Sequence, residues 1–450
     1  MKLGVTIENR TPQASRIAAS ANTQKLRIGR AAEIREVSVP LMKLLVFAHI
    51  PPPHHGQSYM VKLMLDGLGG DCRKNGPHNG PVQCYHVNAQ VSDNMEDIGT
   101  FRIGKLLTLL RFCFEAIWCR IRHGVRNFYY VPAPGKRAAL YRDWIVMLLC
   151  RPFFRKFIHH WHAVGVGDWL RKEGRWFERI ITRWLMGRPA LGIALAIPSM
   201  RDALWTLSDK VEIVPNGIPD PFPDFETSVL PGRRARLEER RALIGGQPGV
   251  TKFRVLYIAH CMREKGLFDT IDGVALANAA LREKGSPVSI HLTVAGAFIH
   301  AEEESEFKTR IERPDITGAV DYAGFVGGEK KSALLRDCDC LCFPTYYHAE
   351  SFGLVVVEAM AAGMAIVTTR WRAIPELLPA DYRGYVAQKT PAAVSAALQT
   401  AICEDAESLR RVFIDRFTIE RHVEMLQNSL TTSADDDANQ SGRKLSLEQA

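Results

Sequence analysis

His348-Ala349-Glu350-Ser351-Phe352-Gly353-Leu354-Val355-Val356-Val357-Glu358-Ala359-Met360-Ala361-Ala362-Gly363 follows closely on an apolar run, Cys340-Leu341-Cys342-Phe343. The run reads as a buried strand, and the polar residues Tyr346, His348 and Ser351 after it read as a loop. From Gly353 onward the residues allow a helix whose small face, Ala359, Ala362 and Gly363, can pack close to a sheet. Strand, loop and helix N-terminus in succession is where α/β proteins hold phosphates, because free N–H groups and the helix dipole point at the ligand. Glu358, about a turn and a half inside the helix, can reach a ligand hydroxyl, while Glu350 lies beside the anionic end. A carboxylate next to a phosphate is unfavourable unless it accepts hydrogen bonds from hydroxyls. The pattern therefore points to a polyol, most simply a sugar.

Similar strand-like runs recur along the chain. Met42–Ile50, Val82–Val87, Asn127–Val131, Lys156–Trp161, Ala190–Ala196 and Val211–Val214 alternate with helical stretches, and a second series comprises Phe253–Ala259, Ser289–Ala295, Ala319–Ala323, Cys338–Phe343 and Ala365–Thr369. Such alternation predicts parallel sheets covered by helices on both faces. Pro215-Asn216-Gly217-Ile218-Pro219-Asp220-Pro221-Phe222-Pro223 is unfit for helix or central strand and separates the two series. The expected layout is an extension over 1–41, a first domain over 42–215, a connection over 216–251, a second domain over 252–415, a crossover helix over 416–430 and a disordered tail over 431–450. Met42 is a candidate true start.

With 450 residues and 46% hydrophobic content, the chain can fill two cores. No apolar run of membrane-spanning length and no signal-peptide core is expected. The ten cysteines show no CxxC or metal spacing; Cys338, Cys340 and Cys342 read as small core residues of one strand, and a reducing cytoplasm fits. The net charge of +9 is uneven, at +15 for residues 1–250 and −6 for 251–450. Residues 101–190 alone carry 18 basic and 5 acidic side chains, which suits a polyanionic surface. Nucleic acid is not expected, since no recognised binding motif accompanies this charge.

Glu350 and Glu358, with Phe352-Gly353-Leu354 between them and Glu-Ala-Met-Ala-Ala-Gly closing the stretch, resemble the signature of the family 4 retaining glycosyltransferases. The resemblance implies the GT-B architecture, an α/β fold of two Rossmann-like domains facing across a cleft. It also implies transfer of a glycosyl group, of hexosyltransferase type, from a nucleoside-diphosphate sugar. The acceptor would be a saccharide or lipid-linked saccharide of envelope or extracellular polysaccharide, made in the cytoplasm or at the inner face of the plasma membrane. His260-Cys261-Met262-Arg263-Glu264-Lys265-Gly266 resembles the element whose basic residues neutralise the donor diphosphate. Lys265 matches; Ala259 replaces the usual glycine and His260 the usual arginine, which leaves the second phosphate contact open between Arg263 and His260. Ser351, Phe352, Gly353, Leu354 and Glu358 would complete the donor site, with Gly324 and Phe325 against the nucleobase. On the first domain, the loop holding His55 and Gly56 would face the acceptor. His162, with His160 as the alternative on the same strand face, would face the donor sugar.

No metal and no cofactor is expected. A zinc reading of His159, His160 and His162 lacks a partnered Cys or Glu. Asp337-Cys338-Asp339 imitates a metal-binding Asp-x-Asp pair, but its place at a strand entry suggests capping or turn duty. Asn216-Gly217 reads as a tight turn with positive φ.

Residues 102–126 mix Leu107, Phe114, Trp118 and Ile121 with Arg111, Arg120 and Arg122, and 171–188 adds Trp176, Phe177 and Trp184. Either these helices lie on an anionic membrane, or they pack on the sheet and solvate a basic face. Two other functions remain open. One is a GT-B epimerase or phosphorylase, disfavoured by the glutamate pattern. The other is a catalytically silent membrane-docking protein, favoured by His260 and by the single glycine at Gly56.

Overall fold

The computed structural model describes residues 41–52, 56–90 and 103–432. The expectations for residues 1–40, including Met42 as a start, for His55 and for the tail beyond 432 therefore concern or depend on residues outside those described. Six parallel strands form the first sheet: β1 (Met42–Ala48), β2 (Val82–Asn88), β3 (Asn127–Tyr130), β4 (Lys156–Trp161), β5 (Leu191–Ala194) and β6 (Val211–Ile213), in the order β2-β1-β3-β4-β5-β6. The second sheet is also parallel: β7 (Thr251–Ile258), β8 (Val288–Ala295), β9 (Val320–Gly324), β10 (Cys340–Phe343), β11 (Ala365–Thr369) and β12 (Tyr385–Val386). Its order is β12-β11-β10-β7-β8-β9. Continuous apolar runs suit these strands because helices cover both faces of a parallel sheet.

Two strand details differ from expectation. β12, a two-residue edge strand, is too short to leave a periodic signal. Cys338 precedes β10 and ends the helix before it, although its side chain is buried like those of Cys340 and Cys342.

Sheet order decides where a ligand can sit. Counted from its own first strand, the second sheet runs 6-5-4-1-2-3, the doubly wound Rossmann order. Its switch point lies between β7 and β10, so the loops leaving those two strands open a crevice. The first sheet switches between β1 and β3. The principal helices around the sheets are α1 (Gly56–Gly67), α2 (Ile103–His123), α3 (Arg137–Cys150), α4 (Trp176–Met186), α5 (Leu230–Ile244), α6 (Leu267–Glu283), α7 (Ala301–Ile311), α8 (Leu354–Ala361) and α9 (residues 419–432). Among the described residues, no helix is long and apolar enough to cross a membrane.

The segment 216–251 is more than a connection. Its helix α5 is bolted to the second domain through Arg233, whose Nη1 donates to the Cys338 carbonyl at 2.9 Å, and Arg236, whose Nε reaches Asp339 Oδ1 at 2.8 Å. Asp339 thus turns inward to two arginines and the Arg254 N–H, a structural duty. The crossover helix α9 returns to the first domain, where Leu426 and Leu430 join Leu44, Val46, Val61 and Met64 in one core.

The Asn216-Gly217 reading needs correction. Gly217 does not adopt positive φ; it is needed for close approach. A Cβ there would lie 2.2 Å from the Thr418 carbonyl oxygen and 2.8 Å from the His422 Cβ. The backbone cannot retreat, because Ile218 N donates to the Phe417 carbonyl and Ile419 N to the Ile218 carbonyl, each at 2.9 Å. Gly217→Ala is expected to destabilise the protein by about 2–3 kcal/mol through overpacking, read as a lower urea midpoint at unchanged slope.

Candidate functional site

The loops at the second switch point converge. After β7, the turn Arg263–Lys265 ends at Gly266, whose φ of 83° lets the chain reverse. A Cβ on Gly266 would stand 2.6 Å from the Pro344 carbonyl oxygen, so the glycine also brings the β7 loop against the β10 loop. That approach sets Lys265 Nζ 2.6 Å from Glu350 Oε2, with the two side chains only 14% and 10% exposed. The ammonium lies 4.7 Å from the Tyr347 ring centroid and 5.6 Å from that of Phe343, a cation–π cradle that fixes its position. Gly353, at φ 85°, caps the N-terminus of α8. One helix turn on, Glu358 Oε1 accepts from Lys331 Nζ at 2.6 Å.

The first domain meets this site across the cleft. A Cβ on Gly56 would lie 3.5 Å from Leu354 Cδ1, so the start of α1 faces the start of α8. Tyr59, one turn along α1, has its phenol pKa raised, first by burial, with opposing contributions from Lys331 and Glu358. Ile197 N donates to Glu376 Oε2 at 3.1 Å further along the junction.

Lys331 and Tyr59 escaped the sequence reading. Lys331 follows Gly324 and Phe325 in a polar helix where a lysine is unremarkable, and only the fold brings it to Glu358.

Several expected residues take other positions. Arg263 is committed elsewhere: its guanidinium pairs with Glu306 of α7 and lies 4.7 Å from the Phe268 ring centroid, while its N–H donates to Glu303. It is therefore not held beside Lys265. His260 is partly buried, and its pKa is lowered by burial and then by Lys265. Both effects disfavour a positive charge at this position. The Phe352 ring is buried against Phe417, with centroids 6.2 Å apart, and belongs to the core. Ser351 sits half-buried in the loop beside Glu350. Gly324 ends β9 at φ 67°, and Phe325 is 72% exposed.

β4 ends in the histidines. His160 and His162 share one side, their rings 4.1 Å apart, and His160 Nδ1 lies 2.5 Å from the Tyr129 hydroxyl. Among the described residues, no group of three or more His, Cys, Asp or Glu is placed to hold a metal. His159 points to the opposite face, buried between Tyr130 and Trp161, with neither ring nitrogen hydrogen-bonded. Burial pushes its pKa down to about 3 from 6.5. The folded state keeps His159 neutral while the unfolded chain protonates below about 6.5, so this stability contribution is lost as pH falls from there toward 3. Each pH unit in that window costs about 1.4 kcal/mol for one such group. His159→Phe is expected to flatten the acid side of the Tm–pH curve accordingly.

Comparisons with known proteins bear on this geometry. Residues 246–416, most of the second domain, match the family model of glycosyl transferases group 1. The chain is 27% identical over 146 residues to the putative colanic acid biosynthesis glycosyltransferase WcaL of Escherichia coli, covering 32% of this chain and 34% of the relative. It is 30% identical over 160 residues to a GDP-mannose-dependent α-(1-6)-phosphatidylinositol dimannoside mannosyltransferase of Mycobacterium tuberculosis, covering 35% and 38%. The chain thus spans about a third of the length of these curated relatives. Its fold is similar to Anabaena HepE, solved with UDP and glucose, at a TM-score of 0.58 and 15% identity over 87% of this chain and all of that one. Thermosynechococcus elongatus sucrose-phosphate synthase gives 0.60 and 16% over 88% and all. These likenesses establish the GT-B fold: two Rossmann-like domains facing each other.

Proposed function

We propose that a chain carrying this domain transfers a glycosyl group, with retention of anomeric configuration, from a nucleoside-diphosphate sugar to a hydroxyl of a saccharide or lipid-linked saccharide. The observation that carries the reading is the Lys265–Glu350 pair, at 2.6 Å, in the switch-point crevice beside the α8 N-terminus. A donor diphosphate would compete for Lys265 and receive the helix N–H groups, which stabilise the charge that develops as the nucleotide leaves. Glu350, released from its lysine, would accept hydrogen bonds from the sugar hydroxyls. Glu358 would hold the ribose hydroxyls and Lys331 would add the second positive charge expected of an arginine at position 260. His162 and Gly56 would face the transferred sugar from the first domain, and no metal is assigned a role.

Relatives named for colanic acid and phosphatidylinositol dimannoside synthesis support a polysaccharide or lipid-linked acceptor. The ten free cysteines suit a reducing cytoplasm. Nucleoside-diphosphate release from a panel of nucleotide sugars, with and without a membrane extract, tests the reading. Acceptor-stimulated release from one donor supports it; absence of release or transfer from every donor sinks it.

A further inference from the structure

The outward faces of α2 and α4 are built the wrong way round for a water-soluble surface. On α4, Glu178 and Thr182 are fully buried, while Trp176, Ile180 and Trp184, one above another at four-residue spacing, are 72%, 59% and 69% exposed. The inward polar groups are satisfied rather than stranded. Tyr141 donates its hydroxyl to Glu178 at 2.6 Å, Arg175 N donates to the same carboxylate at 2.6 Å, and Trp144 Nε1 donates to Thr182 Oγ1 at 2.9 Å. This helix is therefore locked by specific bonds with its apolar stripe facing out.

α2 shows the same inversion in bulk. Its buried row is Leu109, Cys113, Ala116 and Cys119, whereas Leu107, Phe114, Trp118 and Ile121 stand in the open at more than 60% exposure each. These four large apolar side chains stand in water, contrary to what the hydrophobic effect selects for a free surface.

The two stripes are joined. α3 packs against both helices, and the turn that ends it ties them together. Arg120 Nε donates to the Phe153 carbonyl at 3.0 Å, and Arg151 Nη2 to the Gly187 carbonyl at 2.8 Å. Phe153 and Leu148, exposed between the stripes, carry the apolar surface across. The α2 stripe is about 21 Å long and the α4 stripe about 12 Å, from 1.5 Å per residue.

We infer that this surface docks on an anionic lipid bilayer. The charge identifies the occupant. Residues 101–190 carry 18 basic against 5 acidic side chains, with exposed Arg111 and Arg122 along the α2 row and Arg175, Arg179 and Arg183 beside the α4 row. A second copy of the chain would bring the same positive charge and be repelled. An anionic headgroup layer meets the arginines, while tryptophans settle at the boundary between headgroups and acyl chains. The inference rests on the proposed function only for its purpose, bringing the first domain to a lipid-linked acceptor; the binding itself does not depend on catalysis.

The test is co-sedimentation of the intact protein with phosphatidylcholine vesicles, with and without phosphatidylglycerol, at low and high salt. The wild type is expected to bind the anionic vesicles at least tenfold more tightly than the neutral ones, and to be released by salt. The triple variant W118S/W176S/W184S, with every arginine retained, should bind at least tenfold more weakly. Its affinity for nucleoside diphosphates should equal the wild type's, so a failure of docking is distinguishable from a failure of the donor site. If the triple variant unfolds, W118S and W184S singly should show the loss in smaller steps. No vesicle binding, equal binding to neutral vesicles, or undiminished binding by the variants overturns the inference. So does a wild-type dimer that the variants dissociate, which would make the surface a self-association face.

Discussion

Glu350→Gln is expected to lower turnover on the order of 10²–10³-fold at saturating donor, with donor affinity changed far less. Glutamine keeps the size and hydrogen-bonding reach of the side chain, so the loop between β10 and α8 should hold its shape. Under the proposed function, what is lost is the negative charge beside a sugar that would become cation-like as the nucleotide departs. Preorganised charge at such a point contributes in the range seen when one oxyanion-type donor is removed. The variant also leaves Lys265 without its carboxylate at 2.6 Å, freeing the ammonium for the diphosphate, so donor binding has no reason to weaken. Steady-state rates of nucleoside-diphosphate release check this; unchanged turnover would remove Glu350 from the chemistry.

Asp339→Ala is expected to cost about 3–5 kcal/mol of stability, a large part of the few to fifteen a domain usually has. The carboxylate is 2% exposed and joins Arg236 at 2.8 Å and Arg240 at 3.1 Å, and it accepts from Arg254 N at 3.1 Å. Arg240, itself 4% exposed, would be left with its charge buried and uncompensated. Replacing both partners by apolar residues of similar size should be milder than the single change, because it removes the stranded charge as well as the pair. Urea denaturation of the two variants reads the difference directly.

Most of the scaffold could be read from the sequence because buried parallel strands leave continuous apolar runs. Eleven such runs correspond to strands, and among the described residues only β12 went unseen. The Glu350–Glu358 stretch was legible because strand, loop and helix follow one another there without long-range help. The partners of those glutamates were not equally legible. Lys265 could be anticipated from its place after β7, whereas Lys331 reaches Glu358 only through the packing of a helix with no distinguishing pattern.

Orientation was the other blind spot. The periodicity of 176–186 shows an amphipathic helix but not which face turns inward; Glu178 and Thr182 face in because Tyr141, Arg175 and Trp144 bond to them. On α2 the outward row is mainly apolar, with Arg111 and Arg122 exposed along it. Gly217 was open to misreading because a glycine needed for close approach and one needed for positive φ look identical in sequence.

Calorimetric titration of the intact protein with UDP, GDP and ADP tests the central claim most directly, namely that the β7–β10 crevice holds a donor diphosphate on Lys265. The account predicts that at least one of the three binds, and that Lys265→Ala weakens that binding at least tenfold while Lys284→Ala, on an exposed helix end, leaves it unchanged. Failure of all three to bind, or equal affinity in Lys265→Ala, would contradict it.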